Sequence, residues 1–177
     1  MLTFKRLLAQ TKSAKERQAL LAGKVEDMIN TVVRQIAFYS FERAVHTERR
    51  NGELTAQRIG EIWLGVQSES LGPAIDIRPG YENFWMYIPH FIHSPFYVYA
   101  YAFGDCLVNS LYAVYEKAQD GFAERYLAML SAGGTKHHSD LLKPFGLDAR
   151  DPTFWQGGLG VIERMIGELE ALDNAKS

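Results

Sequence analysis

The side chains able to do chemistry concentrate in one stretch, Pro89-His90-Phe91-Ile92-His93-Ser94-Pro95-Phe96-Tyr97-Val98-Tyr99-Ala100-Tyr101-Ala102-Phe103-Gly104. Two histidines precede a Ser-Pro pair and three tyrosines follow it. Ser94-Pro95 reads as a helix start, a capping serine and then proline at the first helical position. A helix from Pro95 to about Lys117 is expected, apolar on nearly every side in its first two turns and therefore buried there. Tyr97 and Tyr101 are four residues apart, so their side chains share one face. A buried phenol needs a hydrogen-bond partner. Two phenols pointing toward a histidine form a cluster of neutral donors, beside the partly positive end of a helix. Such a cluster suits a developing oxyanion, for example the tetrahedral alkoxide of peptide hydrolysis. The same spacing also suits an ordinary core, since aromatic residues at helical intervals fill interiors and histidines before a cap bond backbone carbonyls. Spacing alone leaves both readings open.

Zinc binding by His90 and His93 is the weaker reading. A His-Glu-x-x-His helix places two histidines one turn apart with a glutamate between them. Here the spacing is His-x-x-His, without the glutamate, and a proline follows two residues later. His137 and His138 are adjacent, and His46 stands alone on a long helix. No segment supplies a complete zinc site. The single cysteine, Cys106, rules out an intramolecular disulfide and is compatible with a reducing compartment. Among Phe103, Leu107 and Val108 it reads as a small buried hydrophobe rather than a nucleophile.

The elements that must position these residues are helical. From Ser13 to Asn51, Leu21, Val25, Met28, Val32, Ile36 and Tyr39 recur at three- and four-residue steps and define one apolar face. Ser13 and Glu16 form a capping-box signature, and Asn51-Gly52 closes the helix. At roughly 1.5 Å per residue it would run about 57 Å, long for a small compact domain. Thr55 caps a second helix to about Leu71. Gly72-Pro73 and Pro79-Gly80 punctuate a loop. The aromatic stretch Tyr81–Phe91 cannot be a regular helix through Pro89. Asp120-Gly121 opens a helix that Gly133-Gly134 ends, Ser139–Phe145 is short and helical, and Asp151-Pro152 starts a last helix to about Leu172. No period-2 strand pattern, repeat or linker interrupts the chain. The expectation is an all-α single helical unit over residues 1–177, with one very long helix near the N-terminus.

Composition narrows the function classes. The chain has 177 residues, 47% of them apolar and 23% charged, with 19 Lys plus Arg against 21 Asp plus Glu. The first fifty residues carry ten basic and five acidic side chains. They are spread at helical intervals rather than clustered, the pattern of a solvated face and not of a nucleic-acid binder. No run of 18 apolar residues predicts a membrane span, and no leader precedes the first helix, so a cytoplasmic location is expected. Met1-Leu2-Thr3-Phe4 enters helical periodicity directly and reads like the middle of an element.

Four segments together resemble oligoendopeptidase F, a zinc metallopeptidase family. They are Val32-Val33-Arg34-Gln35-Ile36-Ala37-Phe38-Tyr39-Ser40-Phe41-Glu42, the stretch from Trp85 to Tyr101, Tyr126-Leu127 to Gly133-Gly134, and Asp151-Pro152-Thr153-Phe154-Trp155-Gln156-Gly157-Gly158. The resemblance runs over essentially the whole chain, in the family's order. It implies a fold similar to thimet oligopeptidase, an all-α ellipsoid split by a deep channel with zinc at its floor. In that family His-Glu-x-x-His gives two zinc ligands and the general base, and a glutamate on the next helix gives the third ligand. By the family's order all of these fall upstream of Met1, so zinc belongs to the full-length enzyme and none is expected in this chain alone. What the resemblance implies for this chain is the far wall of the active site. His90 or His93, with Tyr97 and Tyr101, would bind substrate and stabilise the oxyanion. Tyr99, on another side of the helix, and Tyr87 would contact substrate.

The expected activity is thus part of a metalloendopeptidase that hydrolyses oligopeptides, the chain itself being inactive without its zinc ligands. The alternative is a catalytically inert helical interaction module derived from such an enzyme. The expected partners are an oligopeptide substrate, the missing N-terminal catalytic half and further copies of the chain. Self-association would use apolar surface at Val25, Ile29, Val32 and Ile36 or their neighbours.

Overall fold

The computed structural model describes residues 1–117 and 119–174. Their regular structure is helical: α1 (Leu2–Ala9), α2 (Ala14–Arg49), α3 (Ala56–Leu71), a 3₁₀ segment (Tyr81–Tyr87), α4 (His90–His93), α5 (Tyr99–Lys117), α6 (Phe122–Ala132), α7 (His138–Leu142), a 3₁₀ turn (Lys143–Phe145) and α8 (Pro152–Asn174). No strand occurs among the described residues.

Three helix starts fall where side-chain capping dictates. Ser13 Oγ accepts the Glu16 N–H at 3.2 Å. The Glu16 carboxylate accepts from the Lys12 N–H at 2.8 Å, one residue before the position a standard capping box would use. α2 then runs 36 residues, about 54 Å at 1.5 Å per residue, and the chain turns away through Gly52 at φ 144. Thr55 Oγ1 accepts the Arg58 N–H at 3.1 Å to start α3. Asp151 Oδ1 accepts the Thr153 N–H at 2.9 Å to start α8.

The start of α5 departs from expectation. The helix begins at Tyr99, not Pro95. Phe96 has φ 61, a left-handed backbone conformation that breaks helical progression just where the Ser-Pro signal would begin it. Its first turns are not buried all round either. Val98, Ala102 and Cys106, four residues apart, form the single inward stripe.

By its internal contacts the chain divides into two compact units, residues 1–28 with 104–177, and residues 29–103. In the first, Leu111, Phe122 and Phe145 form a core with Leu107, Val114, Tyr115, Tyr126, Met129 and Leu147 packed against it. α8 meets α5 at close range: Ser110 Oγ donates to the Phe154 carbonyl at 2.7 Å, and Gly158 lies against the Cys106 backbone. Arg17 pairs with Glu168, and Lys5 with Glu116, at the surface of this unit.

In the second unit Phe38, Phe41, Ile62, Trp63, Ile88 and Val98 form the core. Trp63 is fully buried. Phe41 meets it edge-on at 5.2 Å, and Phe91 lies 5.1 Å from Phe41. Of the α2 positions expected to be exposed, Val25 and Val32 are instead buried, while Ile29 and Ile36 are exposed, together with Val33. Beyond Val32 the buried positions of α2 are Ala37, Phe38 and Phe41 rather than Ile36.

Candidate active site

Three apolar anchors set the geometry of the second unit's aromatic surface. Ile88 and Val98 are core residues, and Phe91 packs against that core. Their neighbours along the chain, His90, Tyr97 and Tyr99, are thereby turned outward. Pro89 begins a single helical turn in which the His93 N–H reaches the Pro89 carbonyl at 2.9 Å. The two histidines thus sit on a short helix rather than in an irregular turn.

The structure brings His90, Tyr97 and Tyr101 together. His90 Nε2 and Tyr101 Oη are 2.9 Å apart, with the donor set by the imidazole tautomer. The Tyr97 ring lies parallel to the His90 ring at 6.3 Å and edge-on to Tyr101 at 5.6 Å. The tyrosines are not buried as expected: Tyr97 is 53% exposed and Tyr101 39%. Only one stripe of this segment faces the core, so the phenols stay open to solvent and to a ligand.

The other predicted residues stand apart from this trio. His93 is exposed on the same turn as His90 and does not join it. Tyr99 packs edge-on to Tyr39 at 6.3 Å. Tyr87 accepts a hydrogen bond from the Arg34 guanidinium, which also lies 5.2 Å over the Phe38 ring. Burial pushes the neighbouring Tyr81 phenol above its ordinary range; Tyr87 adds to the effect and Arg34 opposes it.

Two features escaped sequence reasoning. Glu42 is buried and accepts the Phe96 N–H at 2.6 Å. His46, which looked solitary, packs its ring 4.6 Å from Phe96. The spacing Glu42-x-x-x-His46 marks one helix face, but nothing local says that this face meets a segment fifty residues away.

The chemistry of the donor set does not fit a resident metal. Among the described residues no group of three or more His, Cys, Asp or Glu side chains could hold an ion. The zinc implied by the resemblance has no ligand set among the described residues. No helix among the described residues is long and apolar enough to cross a membrane.

An all-helical scaffold presenting a His–Tyr–Tyr cluster is the class that fold and site define. Residues 1–161 match the profile of peptidase family M3, and the chain belongs to that family. It is 31% identical over 169 residues to oligopeptidase PepF of Bacillus subtilis, covering 94% of this chain and 25% of that protein. It is 30% identical over 170 residues to the plasmid oligoendopeptidase F of Lactococcus lactis subsp. cremoris, covering 94% of this chain and 28% of that protein. The crystal structure of oligoendopeptidase-F from Enterococcus faecium superimposes with a TM-score of 0.87 at 26% identity, over 97% of this chain and 33% of the other. The chain thus spans a quarter to a third of the length of these relatives.

Proposed function

We propose that this chain supplies the substrate-facing, oxyanion-stabilising wall of a peptidase acting on oligopeptides, and that its partner is the portion of such an enzyme that carries the zinc ligands and the base. The observation that carries the reading is the 2.9 Å contact of His90 Nε2 with Tyr101 Oη, with Tyr97 stacked beside it. When Nε2 carries the proton, it donates to the Tyr101 oxygen and leaves the Tyr101 O–H free to donate outward. As a peptide carbonyl is attacked, negative charge develops on its oxygen, and a pre-positioned neutral donor stabilises that charge more than it stabilises the bound substrate. Tyr97 adds a second phenol on the same side. Tyr87, oriented by Arg34, and Tyr99, braced by Tyr39, offer aromatic surface to the peptide. His93 is assigned no part in the chemistry.

The test is a chimera in which this chain replaces the matching segment of Bacillus subtilis oligopeptidase PepF. It should hydrolyse an internally quenched oligopeptide. Tyr101→Phe should lower kcat about a hundred- to a thousandfold, with KM little changed, because the hydroxyl acts mainly in the transition state. Unchanged turnover in both Tyr97→Phe and Tyr101→Phe, or a folded chimera without turnover, would overturn the reading.

A further inference from the structure

The turn that delivers Tyr97 to His90 is strained, and a buried acid grips it. Phe96 is the only non-glycine residue with positive φ among those described, at 61°. A bulky side chain in that region is an outlier that persists only where its surroundings over-determine it. Two groups from one face of α2 do so. Glu42 Oε1 accepts the Phe96 N–H at 2.6 Å, and one helical turn further on the His46 ring packs 4.6 Å from the Phe96 ring.

Glu42 is an expensive way to hold a loop. Its side chain is 2% exposed, and Oε2 is buried with no hydrogen-bond partner among the described residues. Burying a carboxyl group with one oxygen unpaired opposes folding, and an apolar side chain of similar volume would avoid that cost. A strained backbone and a half-satisfied buried acid meeting at one contact mark a site held for geometry rather than for stability. That geometry continues into the candidate site. The Tyr97 N–H bonds back to the Ser94 carbonyl at 3.3 Å, and the Ala100 N–H to the Tyr97 carbonyl at 2.9 Å. The conformation of residue 96 therefore decides where the Tyr97 ring points.

We propose that Glu42 is a positioning residue: its buried carboxyl group locks Phe96 in the left-handed conformation that sets Tyr97 against His90 and Tyr101. The catalytic meaning of this lock rests on the proposed function above, but the lock itself does not.

The experiment reads ring geometry in the chain as it stands, without substrate. Nuclear Overhauser contacts between the Tyr97 and Tyr101 rings are measured in the wild type, Glu42→Gln, Glu42→Met and Glu42→Met with Phe96→Gly. Glu42→Gln keeps an oxygen acceptor and should keep the contacts. Glu42→Met fills the same volume without the acceptor; it should retain its helix content and lose the contacts. Glycine adopts positive φ without a clamp, so adding Phe96→Gly should restore them. Persistence of the contacts in Glu42→Met would overturn the proposal. So would failure of the folded double variant to restore them, or outright unfolding of Glu42→Met, which would make Glu42 a residue of the fold instead. None of these readouts depends on peptidase activity, so failure of the lock and failure of the proposed function are separable.

Discussion

Burial pushes the Cys106 thiol up to about 11, and Asp105 beside it acts in the same direction. The folded chain therefore holds this proton more tightly than the unfolded chain, whose thiol ionises near the ordinary 9.0. The stability this contributes is fully present below pH 9 and is lost as pH rises toward 11. The urea midpoint should fall across that window, and the fall should be shallower in Cys106→Ala; identical pH profiles for the two proteins would contradict the assignment. The sequence neighbourhood of Cys106 was enough to read it as a buried hydrophobe, because Phe103 and Leu107 flank it on the helix. Tyr97 and Tyr101 also meet, but not through the shared helix face that their spacing suggested, because Tyr97 precedes the start of α5. Which histidine joins them was not readable from the sequence. His90 and His93 share one turn, and the choice depends on Phe91 entering the core beside Phe41 and Trp63, a contact made across more than twenty residues.

Helix ends governed by local hydrogen bonds were legible, and those governed by distant contacts were not. Ser13, Thr55 and Asp151 each cap the helix that their sequence announces, since a capping side chain reaches only two or three residues ahead. Ser94-Pro95 carries the same local signal and fails. The N–H that Ser94 would cap is that of Phe96, which instead donates to Glu42, 54 residues away. At the α5–α8 crossing the sequence shows two glycines, Gly157 and Gly158, without saying which is needed. The structure separates them. A Cβ on Gly158 would meet the Cys106 carbonyl oxygen at 2.7 Å and the Ser110 hydroxyl at 3.1 Å. A Cβ on Gly157 would meet nothing closer than Ser110 at 3.8 Å. Gly158→Ala should therefore destabilise the chain by about 1–3 kcal/mol, as overpacking does. Gly157→Ala should stabilise it by about 0.5–1 kcal/mol through helix propensity. Urea denaturation of both variants checks the pair, and equal shifts would mean that the two helices can part at no cost.

The chain spans 25–33% of the length of its relatives, and one stretch of α2 presents apolar side chains to solvent. Ile29, Val33 and Ile36 are 40%, 42% and 45% exposed. Val32, Val33, Ile36, Ala37 and Ser40 of α2, with Val66, Glu69 and Ser70 of α3, line an open groove of about 380 Å³. This differs in part from the surface that the spacing of α2 predicts. Val25 and Val32 turn inward with Met28, whereas Ile29, Val33 and Ile36 turn outward. Contiguous apolar patches beyond several hundred Å² rarely stay uncovered on a soluble monomer. The chain alone should therefore self-associate, with a second copy covering this face of α2. Light scattering across a dilution series should show mass above the 20.0 kDa of one chain. Val33→Glu with Ile36→Glu should return it to that mass without loss of helix content, since both side chains are already partly in water. A monomer at every concentration, binding no hydrophobic dye, would show that these residues are too scattered to act as an interface.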